Sequence, residues 1–218
     1  MRTTGTTSFD PAAVVIAQEL QLGFPGGPLL SCPAHAWPAG LHLVQGGEGV
    51  GKTALLCTLA GDIEPRGGTL KYGCDAAADV FWRHPRSVPD ERSLQATCHD
   101  WVRQRSRSFP KWSAKDFERH AEGLDLQVHL HKPLLALSTG SLRKLWMAAA
   151  WASGAALTLI DEPLAALDKA SIQYVQDTLN EFRLANQQAR DGEASRCMIV
   201  AHWDEMQRVD WDGVLTLA

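Results

Sequence analysis

The stretch Gln45–Leu56 reads QGGEGVGKTALL and places four glycines within six residues, directly before Lys52, Thr53 and an apolar run. Glycines allow a loop to turn its backbone N–H groups inward and to approach an anion closely. The helix predicted to follow would add the partial positive charge of its N-terminus. Lysine supplies a full positive charge at the same point, and the threonine hydroxyl can ligand a metal ion. The stretch therefore predicts a phosphate-binding loop.

This loop fits the P-loop pattern, GxxxxGK[ST], from Gly46 to Thr53. Its surroundings support the match, because the apolar strand LHLVQ (41–45) leads into it and the helical stretch TALLCTLAG (53–61) follows it. The residues predicted to contact phosphate belong to the loop and the first helical turn: Gly46, Gly47, Glu48, Gly49, Val50, Gly51, Lys52, Thr53 and Ala54. The alternative is a glycine-rich turn with an incidental lysine.

A second stretch, ALTLIDEP (156–163), ends an apolar strand on two adjacent carboxylates. The carboxyl end of a buried parallel strand faces the crevice in which ligands bind. Asp161 is therefore predicted to hold Mg²⁺ together with Thr53, unless it is only a helix N-cap. Glu162, the next residue, is predicted to act as a general base that polarises an attacking water.

Short apolar strands alternate with helical stretches along most of the chain. The predicted strands are 14–22, 41–45, 78–84, 156–160 and 198–202, with a further strand between turns in 64–73, and the predicted helices are 53–61, 141–152 and 169–187. This alternation predicts an α/β fold with a largely parallel sheet. From Ser87 to about Lys132 the strand signals vanish and charged residues interleave with aromatic ones, which predicts a helical insertion.

The composition is that of an ordinary globular domain, with 218 residues, 45% hydrophobic and 21% charged residues, and a net charge of -4. No global basic field points to nucleic acid. The basic residues between Arg103 and Lys115 are interpreted as a solvated helix face. Five cysteines without a CxxC pair predict free thiols in a reducing compartment and argue against a metal site.

Neither the beginning of the chain nor any apolar stretch predicts insertion into a membrane. The N-terminal MRTTGTTSFDPAAVV lacks the basic and apolar regions of a signal peptide. The longest weakly polar stretch, Leu145–Ile160, is short for a membrane span and contains Ser153 and Gly154. Any membrane association is therefore expected to depend on a partner. The polar segment 187–195 is predicted to be a surface loop or a frayed helix end.

The region between and after these motifs resembles the ATPase subunits of ABC transporters. The stretch Leu137–Ser141, LSTGS, is similar to the family signature LSGGQ and lies one helix before Asp161, in the family's order. Ala166–Asp168 resembles the D-loop, and His202 at the end of MIVAH resembles the switch histidine. Phe24, upstream of the loop, resembles the aromatic residue that stacks on adenine, with a turn-packing aromatic as the alternative.

The resemblance covers roughly residues 12–205 and implies a single ATPase domain over residues 1–218. Its fold would be α/β, that of a P-loop NTPase with a mainly parallel central sheet, an antiparallel β subdomain and a helical insertion subdomain. The RecA-like core would comprise about residues 1–86 and 137–218, and the helical subdomain about residues 87–136. The compact length is similar to that of small subunits of the haem-exporter type in cytochrome c maturation.

The same resemblance implies a reaction shared between two chains. ATP and Mg²⁺ would be bound in a head-to-tail homodimer, with Ser138 and Gly140 of one subunit facing the γ-phosphate held by the other. Asp168 would lie at this interface. His202 would contact the γ-phosphate and position water, unless it is an ordinary strand-end histidine.

The implied partner is a separate membrane permease, which dimer closure and opening would drive. The protein would then be cytoplasmic and peripheral, held at the inner face of the cell membrane through that permease. No nucleic-acid partner is expected. The transported substrate and the direction of transport would be set by the permease.

The chain departs from the family pattern at three places. Thr139 replaces a signature glycine, and Ser141 replaces the usual glutamine. The Q-loop glutamine is missing from FWRHPRSV, where His84 either takes the equivalent place or is a plain loop residue. These departures predict slow hydrolysis or altered coupling to the partner.

The aromatic residues of the insertion have two interpretations. They are predicted either to line a groove for a helix of the membrane subunit or to belong to the core: Trp101, Trp112 and Phe117. Three further tryptophans are predicted to lie in the core: Trp82, Trp146 and Trp151.

Three other functions fit part of the pattern. A soluble ABC-type ATPase acting on nucleic acid or ribosomes is favoured only by the basic run 103–115. A slow regulatory nucleotide binder would explain the altered signature, but such sites usually lose a residue of the set Lys52, Asp161, Glu162 and His202. A P-loop kinase would not need the order of signature, helix, strand and paired carboxylates.

Overall fold

Two β-sheets of different kinds organise the chain. A computed structural model describes residues 13–73, 79–84, 94–189 and 196–218. The predictions made for the N-terminal twelve residues, for Cys74, for the start of the insertion at Ser87 and for most of the polar segment 187–195 lie outside these ranges. The strands are β1 (Ala13–Leu22), β2 (Leu30–Cys32), β3 (His35–Pro38), β4 (Gly40–Gln45), β5 (Gly67–Tyr72), β6 (Val80–Phe81), β7 (Leu157–Asp161), β8 (Cys197–His202) and β9 (Gly213–Thr216).

Five strands form a parallel sheet in the order β6-β7-β8-β4-β9. Its central strands are buried on both faces, as parallel strands covered by helices usually are. Gln45 pairs with His202, and Asp161 pairs with Ala201, so β4, β7 and β8 end at the same edge. This register brings together the phosphate-binding loop, the paired carboxylates and His202.

The second sheet is antiparallel and is built around β1, which pairs with β2, β3 and β5. It shares a hydrophobic core with one face of the parallel sheet and with α1 (Lys52–Leu59). Side chains alternate along β8, so that Ile199 enters this core while Met198 and Val200 enter the core on the opposite face. The parallel sheet thus lies between two apolar layers.

The opposite layer contains the remaining helices. These are α2 (Cys98–Ser106), α3 (Ala114–Gly123), α4 (Thr139–Ala152) and α5 (Lys169–Gln188), with 3-10 turns at Gln127–His129 and Leu134–Ala136. Side-chain oxygens cap the insertion helices, because Thr97 accepts the Asp100 N–H and Ser113 accepts the Asp116 N–H. The insertion is therefore helical where the structure describes it.

The fold class predicted from the sequence is confirmed: an α/β domain with a parallel sheet, an antiparallel sheet and helices. The strand predicted at 78–84 is shorter within its described residues, 79–84, of which only Val80–Phe81 pairs in the sheet. Strands β2, β3 and β9 were not predicted, because three or four residues give too short a pattern to recognise.

Among the described cysteines, all four are buried and unbridged.

The aromatic residues of the insertion belong mainly to the core. Trp101 and Phe117 are buried in the cluster that covers the parallel sheet, and Trp112 packs against that cluster while partly exposed. This burial favours the core interpretation over the docking groove. Trp82 and Trp151 are buried as predicted, whereas Trp146 is only partly buried.

A buried histidine joins the insertion to the rest of the domain. His120 on α3 packs against the Trp151 ring at 4.8 Å between ring centres, and its Nδ1 lies 3.1 Å from the Tyr174 hydroxyl. Arg119 Nη2 lies 3.3 Å from His120 Nε2 and can only donate. The neutral ring therefore accepts at Nε2 and donates from Nδ1 to Tyr174.

This histidine is expected to make the free energy of unfolding depend on pH. Burial, and then the Arg119 and Arg196 cations, lower the pKa of His120 from 6.5 to about 4, against an opposing effect of Asp116. The unfolded chain therefore binds a proton that the folded chain does not, and stability falls as the pH falls from about 6.5 towards about 4. Between pH 7 and pH 5 the loss is expected to be about 2 kcal/mol.

Urea unfolding of the wild type and of His120→Gln at the two pH values measures this effect. The difference between the two proteins isolates His120 from the other histidines. Equal losses of stability in both proteins would show that His120 does not contribute.

Candidate active site

The phosphate-binding loop has a backbone that only glycine accepts at two points. Gly51 has a φ of 105° and forms the N-cap of α1, where a Cβ would lie 2.9 Å from Leu30 Cδ1. At Gly46 a Cβ would lie 2.7 Å from the carbonyl oxygen of Leu217. The glycines therefore fit the loop closely between β4 and the N-terminus of α1.

Lys52 is folded over this loop. Its Nζ donates to the carbonyl oxygens of Gly46 at 2.7 Å and Gly47 at 2.9 Å, and it lies 3.6 Å from Glu162 Oε1. The side chain is only 9% exposed. A buried ammonium needs anionic or carbonyl partners, and a phosphate group is an anionic partner of this kind.

Thr53 and Asp161 meet as the sequence predicts. The Thr53 hydroxyl donates to Asp161 Oδ2 at 2.7 Å, whereas the buried Oδ1 has no hydrogen-bond partner among the described residues. Burial raises the pKa of Asp161, and the Thr53 hydrogen bond and the Lys52 charge oppose this rise. A buried carboxylate oxygen without a partner is costly. A hydroxyl beside such an oxygen is the ligand set that Mg²⁺ prefers, so the residues present fit this ion.

The Glu162 carboxylate lies between Lys52 and His202. The chain turns sharply here, with a φ of 48° at Glu162, and the Glu162 N–H donates to the carbonyl of Ala201 at 2.8 Å. Its carboxylate lies 3.6 Å from Lys52 Nζ through Oε1 and 3.7 Å from His202 Nε2 through Oε2. The Glu162 side chain is 30% exposed, so water can reach it. This placement suits a general base.

Two cations on α4 hold the loop that follows Glu162. Arg143 Nη1 donates to the carbonyls of Glu162 at 2.7 Å and Ala165 at 2.9 Å. Lys144 Nζ donates to Asp168 Oδ2 at 2.8 Å, and Asp168 caps α5 by accepting the Ser171 N–H. The Lys144 hydrogen bond, and then the Ser171 N–H, hold the pKa of Asp168 well below its usual range. Side chains of α4 thus hold the backbone of this loop in place.

Arg143 and Lys144 were not predicted from the sequence as site residues. Their only signal was their position, three and four residues after Gly140 in the helix that begins at the LSTGS stretch. Arg143 contacts backbone carbonyls, which leave no pattern in the partner residues, whereas the partner of Lys144 is the side chain of Asp168.

The LSTGS stretch forms the start of α4. Ser138 is the N-cap, and its Oγ accepts the Ser141 N–H at 3.1 Å. A Cβ on Gly140 would overlap the carbonyl oxygen of Ala166, so only glycine permits this packing against the D-loop. Ser138 and Thr139 are exposed. Within the described ranges, no hydrogen bond or ion pair joins Ser138 to Lys52, and the two predicted phosphate contacts form separate groups in one chain.

Phe24 and His84 lie beside one another. Their ring centres are 6.5 Å apart in an edge-to-face arrangement, and the His84 ring is 6.0 Å from that of Trp82. Phe24 is 43% exposed, as a residue that stacks on a base would be before the base arrives. His84 is also near enough to Asp161 to lower the pKa of that carboxyl, against the larger effect of burial.

The ABC transporter family matches residues 36–165, which is more than half of the chain. The protein belongs to this family. The matched region contains the phosphate-binding loop, the LSTGS stretch, Asp161 and Glu162. Phe24 and His202 lie outside it, so their predicted roles rest on the resemblance and on the geometry.

A curated relative and two solved structures illustrate the likeness. The cytochrome c biogenesis ATP-binding export protein CcmA of Zymomonas mobilis subsp. mobilis is 31% identical over 147 residues, which cover 65% of this chain and 60% of the relative. The chain therefore spans less than two thirds of that relative's length.

A solved ATP-binding subunit of an ABC transporter has a TM-score of 0.74 at 17% identity, covering 94% of this chain and 85% of that one. An archaeal ribosome recycling factor, solved with the ribosomal stalk protein aP1, has a TM-score of 0.74 at 19% identity, covering 99% of this chain and 39% of that one. At these identities the two structures show the fold alone.

Within the described ranges, no helix is both long and apolar enough to cross a membrane.

Proposed function

We propose that the protein binds ATP with Mg²⁺ and hydrolyses it as the ATP-binding subunit of an ABC transporter. The observation that carries this proposal is the position of the Glu162 carboxylate, 3.6 Å from Lys52 and 3.7 Å from His202, next to the Thr53–Asp161 pair. A site that only binds nucleotide has no need of a water-accessible carboxylate at this point.

The chemistry follows from the positions of these side chains. Lys52 would exchange the carbonyls of Gly46 and Gly47 for the β- and γ-phosphate oxygens, and the loop N–H groups would surround them. Thr53 and Asp161 would hold Mg²⁺, which when bound neutralises and orients the phosphate oxygens. Glu162 would accept a proton from water while the water oxygen bonds to the γ-phosphorus. The bond from that phosphorus to the β–γ bridging oxygen breaks, and ADP and phosphate leave.

The separation of Ser138 from Lys52 within one chain supports a two-chain reaction. Ser138 and the N-terminus of α4 are exposed and would reach the γ-phosphate of a second copy. A two-fold head-to-tail dimer contains this geometry twice. The domain division proposed from the sequence, a core interrupted by a helical subdomain at about residues 87–136, would place Ser138 at the junction between the two parts.

The partner would be a membrane permease, which would hold the protein at the inner face of the cell membrane. The support is the description of the Zymomonas mobilis relative, which is an ATP-binding export protein of cytochrome c biogenesis. A nucleic-acid partner is not proposed, because the likeness to the ribosome recycling factor concerns the fold alone. His84 in place of the family glutamine would alter how nucleotide binding is communicated to the permease.

Light scattering of Glu162→Gln with and without ATP and Mg²⁺ tests the proposal. A protein that retains ATP without turnover is expected to change from monomer to dimer only when both are present. A monomer that demonstrably binds ATP under both conditions would contradict the proposed two-chain site.

Ser138→Arg in the Glu162→Gln background is expected to abolish this dimer and leave ATP binding to the monomer intact. The long cation would occupy the space that the γ-phosphate of the second chain needs, while Lys52 and Thr53 remain unchanged. Ser108→Arg, which adds the same charge at an exposed serine of the insertion, is the matched control and should dimerise normally. Normal dimerisation of Ser138→Arg would show that LSTGS does not act on the other subunit.

A further inference from the structure

The loop that carries Phe24 is a tight turn closed by a backbone hydrogen bond. The Phe24 carbonyl oxygen accepts the Gly27 N–H at 2.9 Å, which encloses Pro25 and Gly26. Gly26 has a φ of 78°, and a proline followed by a glycine of positive φ is the pattern of a type II turn. The turn determines where the Phe24 side chain projects, and that side chain is 43% exposed.

Arg66, which directly precedes β5, contacts this turn with its side chain. Its Nη2 donates to the Phe24 carbonyl oxygen at 2.5 Å, and its Nη1 donates to the Gly27 carbonyl oxygen at 3.4 Å. A guanidinium presents several donors in one rigid plane, which suits two carbonyls at once. Arg66 therefore joins the first and last residues of the turn.

The position of Arg66 depends on the pairing of two strands. The Arg66 N–H donates to the carbonyl of Gln21 at 2.8 Å, so the start of β5 is tied to the end of β1. A Cβ on Gly23 would overlap the carbonyl oxygen of Pro28 and would lie 3.8 Å from Arg66 Cζ. Glycine at this position therefore permits the close approach on which the contacts of Arg66 depend.

We propose that Arg66 is a positioning residue for the adenine base of ATP and acts through Phe24. It holds the turn in one conformation before nucleotide binds, so that the exposed ring is already ordered when the base arrives. Ordering a loop and its side chains on binding weakens affinity, and a turn that is already held avoids this loss. The contact between Arg66 and the turn stands on the geometry alone, and its consequence for the base rests on the proposed ATP binding.

Calorimetric titrations with ATP and with inorganic triphosphate, both with Mg²⁺, separate the base from the phosphates. Phe24→Ala is expected to weaken ATP binding by about 5- to 150-fold, the range for one base–aromatic stack. Arg66→Ala is expected to weaken it by about 2- to 10-fold, the range for ordering one side chain on binding. Neither variant should change the affinity for triphosphate, which has no base. Equal weakening of both ligands in Arg66→Ala would indicate a lost charge effect on the phosphates and would overturn the proposal.

A double variant tests whether Arg66 acts through Phe24. Phe24→Ala with Arg66→Ala should bind ATP as Phe24→Ala alone does, because no ring remains to be positioned. Lys71→Ala, which removes a positive charge from an exposed position of β5, is the control and should bind both ligands as the wild type does. Additive losses in the double variant, or a wild-type ATP affinity in Arg66→Ala, would overturn the proposal.

Amide hydrogen exchange of the nucleotide-free protein, measured by NMR, gives a second readout that does not depend on ATP. The Gly27 N–H closes the turn, so it is expected to exchange faster in Arg66→Ala than in the wild type, whereas the amides of β4 should be unchanged. Equal exchange at Gly27 in both proteins would overturn the proposal.

The wild type itself separates the two levels of the argument. If it binds neither ATP nor triphosphate, the proposed function fails, and the exchange rates alone decide whether Arg66 holds the turn. If it binds ATP no more tightly than triphosphate, the base makes no stabilising contact with Phe24, and the positioning role of Arg66 is overturned while phosphate binding stands.

Discussion

Replacing Glu162 with glutamine is expected to lower kcat for ATP hydrolysis by about 100- to 10,000-fold, the range over which a positioned general base contributes. Glutamine has nearly the same shape and can still accept a hydrogen bond, but it cannot take the proton of the attacking water. The measurement is steady-state phosphate release at saturating ATP and Mg²⁺. Glu118→Gln, an exposed glutamate on α3, is the matched control and should retain the wild-type rate.

The same substitution should tighten ATP binding. The Glu162 carboxylate lies 3.6 Å from Lys52 Nζ, so it competes with the phosphates for that cation and repels them. A glutamine removes this competition. Slower hydrolysis with tighter binding separates the loss of a base from general damage to the site, which would weaken both. A Glu162→Gln protein that keeps a substantial part of the wild-type rate would show that another group accepts the proton.

The sequence predicted that Gln45, Asp161 and His202 lie close together because each of them ends a parallel strand. Gln45, Asp161 and His202 each close an apolar strand, and parallel strands place their carboxyl ends at one edge. Local patterns that were more than a hundred residues apart in the chain were therefore enough to predict a common location. The contacts between Thr53 and Asp161, and between Glu162 and His202, follow from this register.

Contacts that depend on backbone groups or on a two-residue turn were not predicted. Arg143 holds two carbonyls, and any residue supplies a carbonyl, so its partners have no signature. Asp204 lies only two residues after His202, and its carboxylate lies 2.9 Å from His202 Nδ1 and accepts the Met206 N–H in the turn after β8. For Trp101, the periodicity of the sequence could not distinguish a residue of the core from one that lines a docking groove. Both positions give the same helical spacing. Burial in the folded chain decided that question.

Lys52→Ala is expected to weaken ATP binding by about 30-fold to several thousand-fold, which corresponds to the roughly 2–5 kcal/mol lost when one member of a buried charge pair is removed. The phosphates would keep the loop N–H groups but would lose the only cation that contacts the Gly46 and Gly47 carbonyls among the described residues. Calorimetric titration with ATP and Mg²⁺ measures the change. Lys71→Ala removes the same charge from an exposed position of β5 and should bind ATP as the wild type does. Unchanged affinity in Lys52→Ala would contradict the phosphate-binding role of the loop.

Taken with Glu162→Gln, this variant separates an ATPase from a regulatory nucleotide binder. Both kinds of protein would lose ATP when Lys52 is removed, because both need the cation for binding. Only an ATPase would lose turnover and keep ATP when Glu162 is neutralised, because only hydrolysis needs the base. The departures of the chain from the family pattern predict slow hydrolysis or altered coupling, and they leave Lys52 and Glu162 in place. A low but Glu162-dependent rate would therefore identify a slow ATPase, whereas a low rate that Glu162→Gln leaves unchanged would identify a binder.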